Sequence, residues 1–214
     1  PNGSEKISDD SPLFEHINLL FESDRCNLYF DRRNPVKPVK IVSPEHTYYL
    51  LGNFAFYNGY FENLKIDTHV RSIEVLHTLA IQEVFKNING IYCCIQIHNY
   101  KNTVCVFTDY LGFYPLFLYK DQNQLLISNE IKLIKEVAAK ALKWNQDAIE
   151  SYLWNGHLIS NQSWYKEVIR LRPASLYEMD CNTLTVNSSY YWTWSQLKKL
   201  ALPKHELFNL YAEK

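Results

Sequence analysis

Several features that mark specialised protein classes are scarce in this sequence. Only six of its 214 residues are glycine, and they are scattered, so the sequence has no glycine-rich loop that could wrap a phosphate group. The five cysteines are odd in number and contain no CxxC pair, which argues against a disulfide framework and against a zinc site. The histidines show no metal-ligand spacing either. We therefore expect reduced thiols and no metal.

Excess positive charge and long apolar runs are absent as well. The formal net charge is -1, whereas proteins that bind nucleic acids usually carry a basic excess. No apolar run reaches the roughly 20 residues that a membrane-spanning helix needs, and no signal peptide is recognisable. We predict no nucleic-acid partner, no membrane partner and a cytoplasmic location. Because the chain begins at Pro1 and its single methionine is Met179, we also expect the native amino terminus to be missing.

Aromatic residues, in contrast, are abundant, with 16 Tyr, 11 Phe and 5 Trp. Such side chains bury large areas and are enriched on sheet faces, so they favour a strand-rich core. Cys93 and Cys94 lie next to each other in an apolar run, and in a strand their side chains would point to opposite faces. Four tryptophans are expected in the core or, alternatively, on a partner surface: Trp154, Trp164, Trp192 and Trp194.

Apolar periodicity predicts both strands and helices. A strand ends at Gly52 and continues to residue 58, and residues 71–84 have helical spacing. Four short strands between residues 91 and 128 predict an antiparallel meander. Helices are expected at residues 130–142 and 146–153, the second ending at Gly156. Further candidates are a helix and a strand, or two strands, at 13–30, and strands at 163–170, 175–179 and 183–186.

The order of several short motifs is more specific than any of them alone. They are Asp109-Tyr-Leu-Gly-Phe-Tyr-Pro-Leu116, Leu126-Ile-Ser-Asn-Glu-Ile-Lys132, Tyr152-Leu-Trp-Asn-Gly156, Leu171-Arg-Pro173 and Tyr190-Tyr-Trp192. Over residues 48–192 this series resembles the amino-terminal glutamine amidotransferase domain of the asparagine synthetase family. That family has Arg-Asp-x-x-Gly-x-x-Pro-Leu, then Ser-Glu-Ile-Lys, Tyr-Leu-x-x-Gly, Leu-x-Pro-Gly and Tyr-Trp in the same order.

The resemblance implies an α+β fold of the amino-terminal-nucleophile (Ntn) hydrolase type, a four-layer sandwich of two antiparallel β-sheets between helices. We expect a mobile segment at residues 1–12, a glutamine-amidotransferase-like domain at 13–192, and a helical linker or tail at 193–214 toward a synthetase domain outside this chain. In the family, a first-residue cysteine releases ammonia from glutamine. The synthetase domain then uses ATP to adenylate a carboxylate, which the nitrogen nucleophile attacks. We expect no cofactor in this chain, and ATP and magnesium only in the synthetase domain.

The family's glutamine-binding residues are matched only in part. Asn53 matches the oxyanion-hole asparagine, a donor that faces the charge developing on a carbonyl oxygen. Phe54 stands where the family has glycine, and we expect its bulk to crowd the place where glutamine lies. In the stretch from Arg71 to Glu74, Ser72 replaces the aspartate that holds the substrate amine. The implied vestigial cleft consists of Asn53, Phe54, Ser72 and Glu74.

The catalytic cysteine of the family has no counterpart either. Residue 1 is Pro1, and the first cysteine, Cys26, lies in an apolar run, where we interpret it as a buried strand residue. Thr108 replaces the arginine that precedes the aspartate of the turn motif. We expect no catalytic residue in this chain. The residues interpreted as the architecture of the turn are Asp109, Gly112 and Pro115.

These matches and losses predict a glutaminase-inactive amino-terminal scaffold of an asparagine-synthetase-like amide ligase. Family members without the cysteine include β-lactam synthetases and lasso-peptide cyclases. The expected partner is a synthetase-like carboxyl-terminal domain or subunit, with a homodimer left open, and the chain alone should have neither glutaminase nor ligase activity. The alternative is a non-catalytic binding or interaction module derived from the same fold. An active amidase whose upstream residues are missing would have to tolerate Phe54 and Ser72.

Overall fold

The computed structural model describes residues 17–23, 26–31, 37–56, 88–138 and 140–196. Within these ranges the chain is mostly antiparallel β-sheet with few helices. The strands are β1 (Ile17–Glu22), β2 (Asn27–Asp31), β3 (Val39–Val42), β4 (His46–Phe56), β5 (Ile88–His98), β6 (Thr103–Thr108), β7 (Phe117–Lys120), β8 (Leu125–Ser128), β9 (Val168–Arg170), β10 (Ser175–Asp180) and β11 (Thr185–Tyr190). The helices are α1 (Ile131–Val137) and α2 (Gln146–Asn155), followed by a 3-10 turn at Trp194–Gln196.

The largest sheet has six strands in the order β11-β10-β6-β5-β4-β3, and every neighbouring pair is antiparallel. Its centre is the long β4–β5 pair, in which eleven residues of each strand face each other. Side chains alternate between the two faces, as strand geometry requires. The prediction for the adjacent cysteines is therefore confirmed, because Cys94 packs in one core cluster and Cys93 in another.

Three core clusters show how the sheets are layered. The first is Ile41, Tyr48, Leu50, Ile88, Tyr92, Cys94 and Phe107. The second is Tyr49, Cys93, Ile97, Val104, Val106, Leu116, Leu118, Leu171, Tyr177 and Met179. The third is Tyr119, Ile134, Tyr165 and Val168. The second cluster joins residues of the six-stranded sheet to Leu118 of β7, so one face of the large sheet packs against a smaller sheet in a sandwich.

The smaller sheet has the order β8-β7-β9 and presents its other face to a helix. Leu118 of β7 enters the second core cluster, whereas its neighbour Tyr119 enters the third cluster together with Ile134 of α1. Adjacent strand residues thus bury opposite faces of one sheet. The described layers run from α1 through the small sheet to the large sheet.

A two-stranded antiparallel ribbon, β1–β2, lies beside this sandwich. Of the two alternatives for the segment that ends at residue 30, the structure has two strands in the described part. The ribbon is tied to the large sheet by the Tyr49 hydroxyl, which donates a 2.9 Å hydrogen bond to the carbonyl oxygen of Leu20. Phe21 and Leu28 pack against the second core cluster.

Helix α2 ends as predicted. The Asn145 side chain accepts a 3.3 Å hydrogen bond from the Ala148 amide at the first turn, which is the usual role of an N-cap residue. At the other end Gly156 adopts a left-handed φ of 73° and its amide donates to the carbonyl oxygen of Tyr152.

No helix in the described part of the chain is long and apolar enough to cross a membrane.

Several predicted elements need correction. The four strands between residues 88 and 128 do not form one meander, because β5 and β6 belong to the large sheet and β7 and β8 to the small one. Helix α1 covers Ile131–Val137 instead of 130–142, and the strand at 163–170 is limited to Val168–Arg170. The predicted helix at 71–84, the segment at 1–12 and residues 197–214 lie outside the described residues.

Candidate functional site

One end of the six-stranded sheet gathers the residues that the motifs single out. Asn53 and Phe54, near the end of β4, lie there and pair with Ile91 and Gly90 near the beginning of β5. β6 also finishes at this end, where Thr108 pairs with Cys93. Three segments therefore meet at this end of the sheet: the turn after Thr108, the start of β10, and residues 190–192, where β11 ends.

Two glycines allow β4 and β5 to approach closely around Asn53. Gly52 and Gly90 have φ values of 105° and 130°, which side chains of L residues rarely adopt. A Cβ atom on Gly90 would lie 2.2 Å from the carbonyl oxygen of Asn53, and one on Gly52 would lie 2.2 Å from that of Ile91. Only glycine fits either position. The side chain of Asn53 itself is exposed to solvent.

Phe54 is half-buried and packs against the first core cluster. Its ring meets the ring of Tyr92 edge-on, with 6.5 Å between the centroids. Edge-to-face contacts at such distances are favourable because the positive ring edge faces the negative ring centre. Phe54 is therefore a packed aromatic side chain at this end of the sheet.

Tyr92 connects the sheet to the segment after β11. Its hydroxyl lies 3.4 Å from that of Tyr191, which in turn donates to the carbonyl oxygen of Thr108. Burial raises the pKa of both tyrosines well above the ordinary value, so both hydroxyls stay protonated at neutral pH. The Tyr191 ring contacts Tyr110 at 5.5 Å, and Tyr110 contacts Trp192 at 5.4 Å. The result is a continuous aromatic cluster.

Asp109 organises the turn that leaves β6. Its carboxylate is fully buried and accepts hydrogen bonds from the backbone amides of Leu111 (3.0 Å), Phe113 (3.0 Å) and Tyr114 (2.7 Å). Its own carbonyl oxygen accepts from the amide of Ala174 at 2.8 Å. An aspartate commonly stabilises a turn in this way, because its short side chain reaches the amides just ahead of it.

The neighbours of Asp109 complete the turn. The Thr108 hydroxyl donates to the carbonyl oxygen of Arg172 at 2.7 Å and accepts from the Ser175 amide at 3.1 Å. Gly112 is left-handed at φ 67°, and its carbonyl oxygen accepts a 2.7 Å hydrogen bond from the Arg170 guanidinium. A positive charge thus contacts the turn from β9 and not from residue 108. Pro115, which is exposed, lies two residues before the start of β7.

Three of the cysteines are poor candidates for a nucleophile. Burial raises the pKa of Cys93 and Cys94 well above the ordinary thiol value, and it raises that of Cys105 to about 11. Since the thiolate is the reactive form, these thiols are inert at neutral pH. Cys26 is not the buried strand residue that we expected, because it precedes β2 in a turn and is half-buried.

The predicted site residues are thus brought together only in part. Asn53 and Phe54 lie at the same end of the sheet as the Asp109 turn, whereas Ser72 and Glu74 lie outside the described residues. Within the described ranges, no three His, Cys, Asp or Glu side chains are grouped as metal ligands would be. Sequence reasoning missed the contact between Tyr92 and Tyr191. Tyr191 belongs to the Tyr190-Tyr-Trp192 motif, but the spacing of that motif does not indicate which strand Tyr191 contacts.

The four tryptophans differ in exposure. Trp154 on α2 is 88% exposed and Trp194 is 68% exposed, so the expectation that they belong to the core is wrong for these two. Trp164 is half-buried against the third core cluster, and Trp192 is half-buried against Tyr110 and Trp194. Trp154 lies in α2 and Trp194 in the 3-10 turn. In such short helical segments, hydrophobic periodicity does not reveal which side of the segment faces solvent.

Comparison with known proteins decides the family. A family model described as a glutamine amidotransferase domain matches residues 62–192. The chain belongs to this family. The match includes β5 through β11, the Asp109 turn and Tyr191, so the aromatic cluster and the turn lie within the matched residues.

A curated relative supports the resemblance to asparagine synthetases. The chain is similar to a protein of Methanocaldococcus jannaschii that is named as a candidate glutamine-hydrolyzing asparagine synthetase, with 28% identity over 118 residues. The match covers 54% of this chain and 23% of that protein, so this amidotransferase domain spans less than a quarter of the relative it matches. The predicted resemblance to the amidotransferase domain of asparagine synthetases is confirmed.

Proposed function

We propose that this chain is a glutaminase-inactive amidotransferase domain that acts as the scaffold of an asparagine-synthetase-like, ATP-dependent amide ligase. Adenylation of a carboxylate and attack by an amine would take place in a synthetase-like domain or subunit, where ATP and magnesium would bind. The observation that carries the proposal is Phe54, which replaces glycine beside the oxyanion-hole candidate Asn53 and packs against Tyr92.

The loss of glutamine binding follows from the same replacements. Phe54 contributes to the hydrophobic core, so the space and the backbone freedom of a glycine are lost at that position. Ser72 cannot supply the carboxylate that would pair with the amino group of a bound glutamine. Cys93, Cys94 and Cys105 have raised pKa values, and burial is the main cause in each case. These features together disfavour glutamine hydrolysis.

The role of a scaffold is supported by the Asp109 turn. A carboxylate whose oxygens are used by three backbone amides has little capacity left for a substrate. We infer that Asp109, Gly112 and Pro115 hold the two sheets in position. A four-layer Ntn-hydrolase-like arrangement would need a helical layer on the face of the large sheet that carries the first core cluster.

Glutamate release tests the inactivity directly. The purified chain is incubated with glutamine, and glutamate is measured by a coupled assay in which a known glutaminase is the positive control. We expect no release above background and no rise in Tm with glutamine. The variant Phe54→Gly should behave in the same way, because Ser72 still lacks the carboxylate. Release that disappears when one cysteine is changed to alanine would refute the proposal.

A second candidate function is a non-catalytic interaction module. It is favoured by helix α2, where Leu153 and Trp154 are 76% and 88% exposed. Large apolar side chains next to each other at a surface often mark contact sites. The test is copurification with a synthetase-like polypeptide from the same genome. Trp154→Ala should weaken that complex, whereas Tyr100→Ala should not, since Tyr100 is an equally exposed aromatic residue (79%) in the β5–β6 turn.

A further inference from the structure

Cys26 lies in a turn whose shape is fixed by its own hydrogen bonds. The turn joins β1 to β2, and in it the amide of Ser23 donates to the carbonyl oxygen of Cys26 at 2.9 Å. The amide of Cys26 donates back to the Ser23 hydroxyl at 3.0 Å. These reciprocal bonds hold the cysteine at the end of the two-stranded ribbon. They fix the backbone that carries the half-buried thiol.

Cys181 is held in place at the end of the large sheet. It follows β10 directly, and its amide donates a 2.7 Å hydrogen bond to the carbonyl oxygen of Asn102. The next residue, Asn182, is fixed twice, because its amide donates to Asp180 at 2.7 Å and its side chain accepts from Asn102 at 3.0 Å. The turns after β5 and after β10 are thus tied together beside this cysteine.

The two thiols meet in one small cleft. Cys26 and Cys181 are separated by most of the chain, yet both line this cleft and both pack against the second core cluster. The cleft has a volume of about 50 Å³. By the same measure a water molecule needs only roughly 10–15 Å³, so a molecule as small as hydrogen peroxide can enter. Lys101 also lines the cleft and brings a positive charge to it.

The two sulfur atoms are chemically unequal. The neighbouring Cys26 thiol lowers the pKa of Cys181, against the opposing effects of burial and of the Asp180 carboxylate. The interaction with Cys181, together with burial, raises the pKa of Cys26. Both residues are half-buried, whereas Cys93 and Cys94 are buried. Cys181 is therefore the better nucleophile, and Cys26 is the protonated neighbour that supports it.

We propose that Cys26 and Cys181 form a peroxide-sensitive thiol pair that closes to an intramolecular disulfide. The Cys181 thiolate attacks one oxygen of hydrogen peroxide, the O–O bond breaks, and the departing hydroxide takes a proton to become water. Cys181 is then a sulfenic acid. The Cys26 sulfur attacks the Cys181 sulfur, the S–O bond breaks, and the oxygen leaves as a second water with the thiol proton. In sum, two thiols and one peroxide give one disulfide and two waters.

The disulfide would connect two separate parts of the fold. It links the β1–β2 ribbon to the far end of β10, so it would hold the ribbon against the six-stranded sheet. Because the bond closes a long loop, it would restrict the unfolded chain strongly. Oxidation should therefore raise the Tm of the protein. This inference does not depend on the proposed scaffold function, since it concerns the opposite end of the sheet.

Mass spectrometry of the peroxide-treated chain tests the pair. The reduced protein, with five free thiols, is exposed to hydrogen peroxide and its remaining thiols are alkylated. We expect two thiols to disappear, the intact mass to fall by two hydrogen atoms, and a proteolytic peptide that joins Cys26 to Cys181. Reduction with dithiothreitol should restore all five thiols. A different cysteine pair, a linkage between chains, or five unreacted thiols would overturn the proposal.

Single variants test the order of the steps, with dimedone as a trap for sulfenic acid. In Cys26→Ser, dimedone should label Cys181, because the resolving thiol is missing. In Cys181→Ser, Cys26 should stay unlabelled, and Cys105→Ser, as the matched control, should still form the disulfide. Label on Cys26 but not on Cys181 would contradict the assigned roles. Circular dichroism shows whether each variant is folded. If a variant fails to fold, the peptide map of the unmodified chain still tests the disulfide.

Discussion

At the residue scale, the Asp109 carboxylate determines how the chain passes from one sheet to the other. β6 ends in the large sheet at Thr108, and β7 begins in the small sheet at Phe117. Between them, three backbone amides point at one buried carboxylate, so the connection has few alternative shapes. Hydrogen bonds to an ionised acceptor are stronger than those between neutral groups. The turn is thus a rigid corner and not a loose loop.

Replacement of Asp109 should therefore destabilise the whole molecule. In Asp109→Ala the amides of Leu111, Phe113 and Tyr114 lose their acceptor inside the protein. Each buried donor left without a partner costs about 1–3 kcal/mol, so we expect a loss of roughly 3 kcal/mol or more. The free energy of unfolding is measured in urea. Asp180→Ala is the matched control, because Asp180 also accepts two turn amides but is only partly buried, and its loss should be much smaller.

At the element scale, the β4–β5 pair has the closest backbone approach among the glycines that the structure describes. Gly90→Ala would place a methyl group 2.2 Å from the Asn53 carbonyl oxygen in addition to straining a φ of 130°. Gly156→Ala also falls on a left-handed φ, but nothing lies within 4 Å of the added methyl group. The control should lose about 1 kcal/mol from conformation alone, and Gly90→Ala clearly more. Stability is measured by thermal and urea unfolding. If both variants lose the same amount, the backbone around residue 90 must have shifted to relieve the close contact.

The same pair of strands carries a pH effect at its other end. His46 and His98 face each other across β4 and β5, with ring centroids 4.7 Å apart. Burial, and then the charge of His98, lowers the pKa of His46. The unfolded chain, whose histidines titrate near pH 6.5, therefore binds this proton more readily than the folded protein does. Stability is unaffected above that pH and falls as the pH drops below it.

Removal of the titrating ring should weaken this dependence. In His46→Gln, the free energy of unfolding should fall less steeply between about pH 7 and pH 5 than it does in the unmodified chain. Urea titrations at several pH values measure the slope. His157→Gln serves as the control for the same chemical change, because His157 is exposed after helix α2. A steeper acid loss in His46→Gln would mean that the sign of the shift is wrong.

The sequence predicts individual strands better than it predicts which strands share a sheet. Alternating apolar residues mark β5, β6 and β8 within a few positions, since side-chain direction has a period of two in any strand. That period is the same in both sheets. The sequence pattern therefore does not show that the chain passes from the large sheet to the small sheet after Asp109. Likewise, Asn53 and Phe54 follow from the family resemblance, but the contact of Tyr92 with Tyr191 joins residues 99 apart in sequence, a separation that periodicity does not reach.

At the scale of the whole molecule, the two sheets form one structure through the second core cluster. Cys93 and Val106 of the large sheet and Leu118 of the small sheet are almost fully buried in it. The family match, residues 62–192, includes strands of both sheets. Because the described residues of the second core cluster make this interface apolar, we expect the sandwich to unfold in a single transition.

Leu118→Ala tests the packing between the sheets. Leu118 is 6% exposed in the second core cluster, so the variant should lose about 2–5 kcal/mol through lost burial and a residual cavity. Leu153→Ala makes the same chemical change at a side chain that is 76% exposed and should have little effect. Unfolding is followed by far-ultraviolet circular dichroism, which reports the sheets, and by tryptophan fluorescence. If the two sheets are one cooperative unit, both signals shift together in Leu118→Ala, and separate midpoints would show that the small sheet unfolds independently.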